Sequence, residues 1–139
     1  MQKTYWFKSS ELNIVDGEDE ETNPMRYGKS VALWLKEEFS KSGYTPSIYA
    51  EDWGWRLDCT NDPCSVWIGC GNVDDMNESG EFVEPTNENI VWHCFVQADV
   101  PFFTKLFSRI NPENSVNEIA SVLNSVIKNT SHISEVEEP

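Results

Sequence analysis

The segment from Ala50 to Gly71 places the strongest constraint on how this chain of 139 residues can fold. Near its start, Trp53, Trp55 and Leu57 alternate with charged residues and a glycine, which is the two-residue period of a strand with one apolar face. A cluster of turn residues follows, and Ser65 to Cys70 has the composition of a second strand. The segment therefore predicts a β-hairpin.

A helix is predicted on the N-terminal side of this hairpin. Asn23-Pro24 provides the residue types that favour the N-cap and the first helical position. Apolar residues then recur at helical spacing, at Tyr27, Val31, Trp34, Leu35 and Phe39. Gly43 occupies the place where a left-handed residue commonly ends a helix, so the pattern predicts a long helix between the two signals.

Shorter strands are predicted around this helix. Thr4 to Phe7, Leu12 to Val15 and Pro46 to Tyr49 each have strand composition. Ile90 to Ala98 is apolar on both of its alternating faces, which is typical of a central strand. We expect Trp92 in this segment to be buried, as we expect for Trp34 on the helix.

Two further helices are predicted in the C-terminal third. The first covers Pro101 to Ile110 and is ended by Asn111-Pro112. Ser115 to Glu118 matches a capping box, which predicts the start of the second. From residue 130 the chain is polar and acidic, and we expect residues 130–139 to be a frayed tail.

The order of the elements indicates the fold class. One or two strands precede a helix, three or four strands follow it, and two helices come last. This order favours an α+β fold, a two-layer sandwich in which a long N-terminal helix and two C-terminal helices pack on an antiparallel sheet of about four to five strands. Residues 1–129 are predicted to form a single domain.

The charge of the chain limits its partners. Asp and Glu number 24 against 10 Lys and Arg, which gives a net charge of −14. Such a surface repels nucleic acid and anionic membranes, and it favours a basic partner, a cation or solubility alone. The first residues lack the apolar run of a signal peptide, and no segment approaches the roughly 20 apolar residues of a membrane helix. We therefore expect a cytoplasmic protein with reduced cysteines.

Two acidic segments are candidates for a docking surface. The first contains Glu18, Asp19, Glu20 and Glu21, and the second begins with Asp74 and Asp75 in the long segment between Val73 and Asn89. Charge runs are commonly just solvated loops, and carboxylates before a helix also interact favourably with its dipole. As a docking surface, the two segments would attract a basic protein.

A second candidate site is a pocket for a small organic cation. Tryptophan faces attract such cations, and a nearby carboxylate completes the site. The residues that could form it are Trp53, Trp55, Trp67 and Trp92, with Glu51, Asp52 and Asp58. The simpler interpretation, which we favour, is that these tryptophans form the hydrophobic core, each with its indole N–H bonded to a backbone carbonyl.

The cysteines are weaker candidates for chemistry. Cys70 lies between two glycines at a strand end and could act as a nucleophile with His93 as its base, but the acidic surroundings oppose a thiolate. Cys59 and Cys64 flank the hairpin turn, where a disulfide would form only in an oxidising compartment. The four cysteines lack paired C-x-x-C spacing, so we predict free thiols, no metal and no cofactor.

Two motifs in the hairpin carry a resemblance to other proteins. The residues E-D-W-G-W of Glu51 to Trp55, followed by W-I-G-C-G-N of Trp67 to Asn72, resemble small acidic bacterial proteins of unassigned function, some of them carried on mobile gene cassettes. The resemblance implies a bacterial, cytosolic α+β domain. It assigns no functional residue.

The sequence thus favours a non-catalytic binding protein that docks a basic protein partner, as an immunity-type inhibitor or an adaptor does. The alternatives are a binder of small organic cations at the tryptophans and a cysteine-dependent enzyme around Cys70. The sequence does not determine the oligomeric state.

Overall fold

The computed structural model of the chain describes residues 2–61, 64–100 and 111–139. The strands among them are β1 (Thr4–Ser9), β2 (Ser47–Glu51), β3 (Gly54–Thr60), β4 (Ser65–Asn72), β5 (Asp75–Met76), β6 (Phe82–Val83), β7 (Trp92–Asp99) and β8 (Ile133–Glu135). The α-helices are α1 (Lys29–Lys41) and α2 (Pro112–Asn129), and Glu18–Glu20 forms one 3-10 turn. Six strands form an antiparallel sheet in the order β2-β3-β4-β7-β1-β8, while β5 and β6 pair separately.

Both α-helices of the described residues pack on the same face of the six-stranded sheet. Tyr5 and Phe7 are two residues apart in β1, so their side chains share a face. The Tyr5 hydroxyl donates a hydrogen bond of 2.8 Å to Asn124 Oδ1 in α2, and the Phe7 ring meets Trp34 of α1 edge to face at 6.1 Å. The α+β class and the antiparallel sheet are therefore confirmed.

The core lies between this face and the helices. Its largest fully buried side chains are Trp92, Tyr5, Phe7, Phe39, Leu35, Leu57, Ile68, Ile119 and Leu123. They come from α1, α2 and four neighbouring strands, so the apolar faces that the sequence pattern predicts meet in one cluster. Trp92 is fully buried as predicted, whereas Trp34 is only partly buried at the edge of the core.

The predicted hairpin is present as β3 and β4, which pair antiparallel with Trp55 opposite Cys70 and Leu57 opposite Ile68. The expected apolar face differs at one position. Trp55 and Leu57 point into the core, but Trp53 lies in the turn between β2 and β3 and packs on Trp67, whose side chain projects from the other face. Because Trp53 precedes the strand, the alternation of β3 does not determine its direction.

The central position of the strand after residue 90 is confirmed. β7 lies between β4 and β1, and Ile68 pairs with Val96 while Tyr5 pairs with Cys94. This position between two strands explains why most residues of β7 are apolar.

The number of strands and the C-terminal tail differ from the prediction. The main sheet has six strands rather than four or five. One of the added strands is β8, which lies in the segment expected to be frayed and pairs with β1, with Ser134 opposite Lys8. Its three residues are mostly polar because an edge strand is paired on one side only. In addition, three residues are too few to show the alternation of a strand.

The helix α1 begins later than the sequence predicts. Asn23-Pro24 instead begins a β-turn, in which the Arg26 N–H donates to the Asn23 carbonyl at 2.9 Å. Pro24 takes the second position and Met25 has a φ of 64°, as the third residue of a type II turn does. The helix is therefore 13 residues long, and Gly43 follows it with the predicted positive φ.

A second Asn-Pro pair, at residue 111, does begin a helix, although the sequence pattern used it only to end the preceding predicted helix. Asn111 is the N-cap of α2, its side chain accepts a hydrogen bond from the Glu113 N–H at 3.0 Å, and Pro112 is the first helical residue. The capping box at Ser115 is consequently wrong, since Ser115 already lies inside the helix. The helix predicted at residues 101–110 lies outside the described residues.

A buried carboxylate holds the start of α1. Glu18 is 1% exposed, and its Oε1 accepts hydrogen bonds from the backbone N–H groups of Gly28 at 2.7 Å and Lys29 at 3.0 Å. Its Oε2 accepts one from the Val15 N–H at 2.7 Å. The N–H groups of a first helical turn have no partner within the helix, so Glu18 satisfies them from a distant loop.

Replacing Glu18 is expected to destabilise the fold. Removal of an N-cap costs roughly 0.5–2 kcal/mol, and each buried donor left without a partner costs about 1–3 kcal/mol. Glu18→Ala should therefore lower the free energy of unfolding by at least about 2 kcal/mol in urea titrations. Glu20→Ala, which removes an exposed carboxylate of the same turn, should change it by less than about 0.5 kcal/mol. Equal effects of the two substitutions would contradict the capping role.

The burial of the two tryptophans also predicts different energetic roles. Trp92→Ala empties a fully buried site and should lower the free energy of unfolding by about 3–5 kcal/mol. Trp34→Ala should cost clearly less, because Trp34 is partly exposed. Denaturant midpoints of the two variants measure the difference, and a larger loss for Trp34→Ala would show that the core is assigned wrongly.

Candidate functional site

The strands β5 and β6 form a small ribbon outside the main sheet. Asp75 pairs with Val83 and Met76 with Phe82. Asn77 shapes the connecting turn, because its side-chain oxygen accepts hydrogen bonds from the N–H groups of Ser79 and Glu81, both at 3.0 Å. Gly80 supplies the positive φ of 79° that the turn needs. We call residues 74–84 the acidic ribbon.

The acidic ribbon combines exposed apolar side chains with carboxylates. Phe82 is 57% exposed and Met76 54%, and Val83 is also exposed. The same segment carries Asp74, Asp75, Glu78, Glu81 and Glu84, all of them exposed, and it contains no lysine or arginine. Large apolar side chains clustered at the surface commonly mark an interaction site.

The base of the acidic ribbon is fixed to the rest of the chain. Arg26 forms an ion pair with Asp74. The side chain of Asn72 accepts a hydrogen bond from the Tyr27 N–H at 2.9 Å and donates one to the Met25 carbonyl at 3.2 Å. These contacts join the end of β4 to the turn before α1. A cavity of about 210 Å³ lies at this junction, between the turn and the ribbon.

The two acidic segments predicted as a docking surface lie close to each other, but their residues have different roles. Glu18 is buried and cannot contact a partner. Asp19 accepts a hydrogen bond from the Met25 N–H at 3.3 Å, so it supports the turn beside the cavity. The pKa of Tyr27 is raised by burial and then by Asp19 and Glu84, one carboxylate from each segment.

The remaining acidic candidates are accessible. Glu20 is exposed, Glu21 is exposed and pairs with Lys29 at 3.3 Å, and Asp75 has no ion pair with any described residue. Within this ribbon the sequence pattern pointed to Asp74 and Asp75, but not to the exposed apolar residues Met76 and Phe82. A signal was present, since Asn77 and Gly80 are turn residues between Met76 and the apolar pair Phe82-Val83.

The predicted tryptophan pocket is not assembled. Trp55 and Trp92 point into the core on the helical face, whereas Trp53 and Trp67 stack on each other at 5.8 Å on the opposite face. The sheet separates the two pairs. The core interpretation holds for Trp55 and Trp92, although their indole nitrogens have no hydrogen-bond partner among the described residues, contrary to the expectation.

Basic side chains of the chain itself already lie over the rings of two of these tryptophans. The Arg56 guanidinium lies 4.4 Å from the centroid of the Trp67 ring and pairs with Asp58 at 2.5 Å and Asp99 at 3.1 Å. Lys29 Nζ lies 5.1 Å from the centroid of the Trp55 ring. The cation sites that the sequence suggests are thus filled by internal side chains.

The carboxylates assigned to that pocket are dispersed. Asp58 is used by Arg56, Glu51 ends β2, and Asp52 is exposed in the next turn, where its carbonyl accepts a hydrogen bond from the Asn23 side chain at 3.1 Å. The face of the sheet opposite the helices instead carries an aromatic row that the sequence analysis does not identify. It consists of Trp6, His93, Phe95, Trp67 and Trp53, with neighbouring ring centroids 5.2–5.8 Å apart.

The proposed nucleophile and base also lie on opposite faces. Cys70 is fully buried on the helical face, and a hydrogen bond with Cys94 and burial together raise the pKa of its thiol well above the ordinary value. His93 stacks on Trp6 at 5.3 Å on the other face, and burial lowers its pKa. This geometry gives no support to catalysis by Cys70 and His93.

All four cysteines are buried, which bears on the disulfide and metal predictions. Cys59, Cys64, Cys70 and Cys94 are buried free thiols. Burial raises the pKa of Cys59, so its thiolate is strongly disfavoured. Within residues 2–61, 64–100 and 111–139, no group of three or more His, Cys, Asp or Glu side chains is arranged to hold a metal ion.

Comparison with known proteins found no relative of this chain. No protein-family model matches it, and neither the curated proteins nor the solved structures contain a match. In the part of the chain that the structure describes, no helix has the length and apolar character needed to cross a bilayer.

Proposed function

We propose that the chain is a non-catalytic binding protein that docks a basic protein partner through the acidic ribbon. The observation that carries the proposal is the exposure of Phe82 and Met76 on a segment with five carboxylates and no basic residue. An immunity-type inhibitor or an adaptor would use such a surface.

Charge and apolar area would contribute differently to this docking. The net charge of −14 attracts a basic partner over long distance and raises the association rate at low salt. Burial of an apolar side chain stabilises the bound state by roughly 1.5–3 kcal/mol. Phe82 and Met76 would therefore anchor the complex, and the surrounding carboxylates would select a partner of positive charge.

A binder of small organic cations has less support. Two of its four tryptophans are in the core, and internal cations already contact Trp67 and Trp55. The acidic ribbon is favoured over that site because its apolar side chains are exposed and its carboxylates, apart from Asp74, have no ion pair with described residues.

Binding of a short fluorescent peptide with lysines on both sides of a central leucine tests the proposal. We expect the double substitution Met76→Ser with Phe82→Ser to weaken binding at least about tenfold, equivalent to roughly 1.4 kcal/mol. The matched control is Leu33→Ser, which removes an exposed leucine of α1 and should leave the affinity unchanged. Fluorescence polarisation measures both.

The charge contribution is tested with the same peptide. Glu78→Gln with Glu81→Gln should lower the association rate and reduce its dependence on salt. Glu37→Gln with Glu11→Gln removes the same number of exposed carboxylates elsewhere and should have a much smaller effect. If both pairs reduce the rate equally, and Met76 and Phe82 have no influence, binding reflects net charge alone and the ribbon is not the site.

A further inference from the structure

We propose that the cavity at the base of the acidic ribbon is a slot for one long basic side chain, a lysine or arginine, of the docked partner. This inference rests on the proposed function, because it assigns the partner residue that the surface receives. The cavity proposal can be wrong even if the acidic ribbon does dock a basic partner, because it concerns one cavity only.

The walls of the cavity fit the two halves of such a side chain. Apolar groups contribute one part of the lining, among them Pro24, Met25 and Phe82. Asp74 and Asp75 contribute the other part, together with Arg26, which pairs with Asp74. Lysine and arginine have an apolar stem that packs on apolar surface and a charged end that remains with polar groups. A cavity of about 210 Å³ with both kinds of wall therefore matches one of these side chains.

The charges at the cavity favour a cation of this type. Arg26 in the lining already pairs with Asp74 and balances its charge, so Asp75 is the carboxylate to which a partner cation would bind. Asp75 has no ion pair with any described residue and remains available to a second cation. The apolar lining disfavours a bare metal ion, since hard cations require several oxygen ligands. An organic cation with an aliphatic stem satisfies both parts of the lining.

The wall formed by the Asn23-Pro24 turn is held in place before any partner binds. Asn72 holds the backbone that follows Met25, because its side chain accepts a hydrogen bond from the Tyr27 N–H and donates one to the Met25 carbonyl. Asp19 accepts the Met25 N–H, and Thr22 Oγ1 donates to the Arg26 carbonyl at 2.5 Å. A preformed wall reduces the ordering entropy that binding would otherwise lose.

The test compares cationic peptides of equal charge whose stems differ in length, with an uncharged norleucine peptide as the control for charge. In the lysine–leucine peptide, each lysine is replaced by arginine, by 2,4-diaminobutyrate or by norleucine, at a pH where all amines are protonated. The slot predicts that the lysine and arginine peptides produce saturable NMR shifts of the Met25 and Val83 methyl groups. The diaminobutyrate peptide should bind at least about threefold more weakly and leave Met25 unshifted, because its shorter stem makes less contact with the apolar lining. The norleucine peptide should lose binding.

A variant pair controls for charge. Asp75→Asn should weaken the lysine peptide about threefold to tenfold and reduce the difference between lysine and diaminobutyrate. Asp16→Asn makes the same charge change at an exposed site outside the cavity and should leave that difference intact.

The outcomes separate the two proposals. Equal affinity for the lysine and diaminobutyrate peptides, with shifts at Phe82 but none at Met25, overturns the slot and leaves the docking surface standing. Absence of binding by every basic peptide overturns both.

Discussion

The buried carboxylate of Glu18 is the interaction on which the N-terminal half of the structure depends. A charge removed from water requires hydrogen bonds, and Glu18 finds three backbone N–H donors, on Val15, Gly28 and Lys29. Gly28 lies so close to β4 that any side chain there would clash with the Cys70 carbonyl oxygen. The start of α1, the preceding loop and the sheet are thereby held together. The turn that lines the cavity lies in the same loop, where Asn72, Asp19 and Thr22 hold it by hydrogen bonds.

The six-stranded sheet divides the aromatic residues into two groups with different surroundings. On the helical face, Trp92, Tyr5 and Phe7 are fully buried and supply much of the apolar area that stabilises the fold. On the other face, aromatic rings pack mainly on each other, and Arg56 covers Trp67. The tryptophans on the helical face therefore stabilise the fold, and those on the other face contact each other and Arg56. The most exposed apolar side chains of the described residues lie on the ribbon beside the sheet instead.

The proposed site combines a long-range force, Coulomb attraction, with a short-range one, apolar contact. Coulomb attraction acts over about a Debye length, roughly 8–10 Å at physiological salt, and brings a basic partner to the acidic face. Apolar contact acts only after docking and determines how long the complex persists. Phe82 and Met76 would provide that contact, and the cavity beside them would hold one basic side chain. The acidic surface alone would give fast association but little selectivity among basic proteins.

The elements with a strong local period can be read from the amino-acid sequence. The β3–β4 hairpin, the central strand β7 and the apolar stripe of α1 follow from alternation or helical spacing, because side-chain direction is fixed by backbone geometry within one element. Tertiary structure decided what depends on contacts between distant residues. Asn23-Pro24 forms a turn rather than a helix start, and Glu18 is buried rather than exposed, because both meet partners that lie elsewhere in the chain. The acidic character of the site was readable from residues 74–84, but its cavity was not, since that cavity exists only where the ribbon meets the turn before α1.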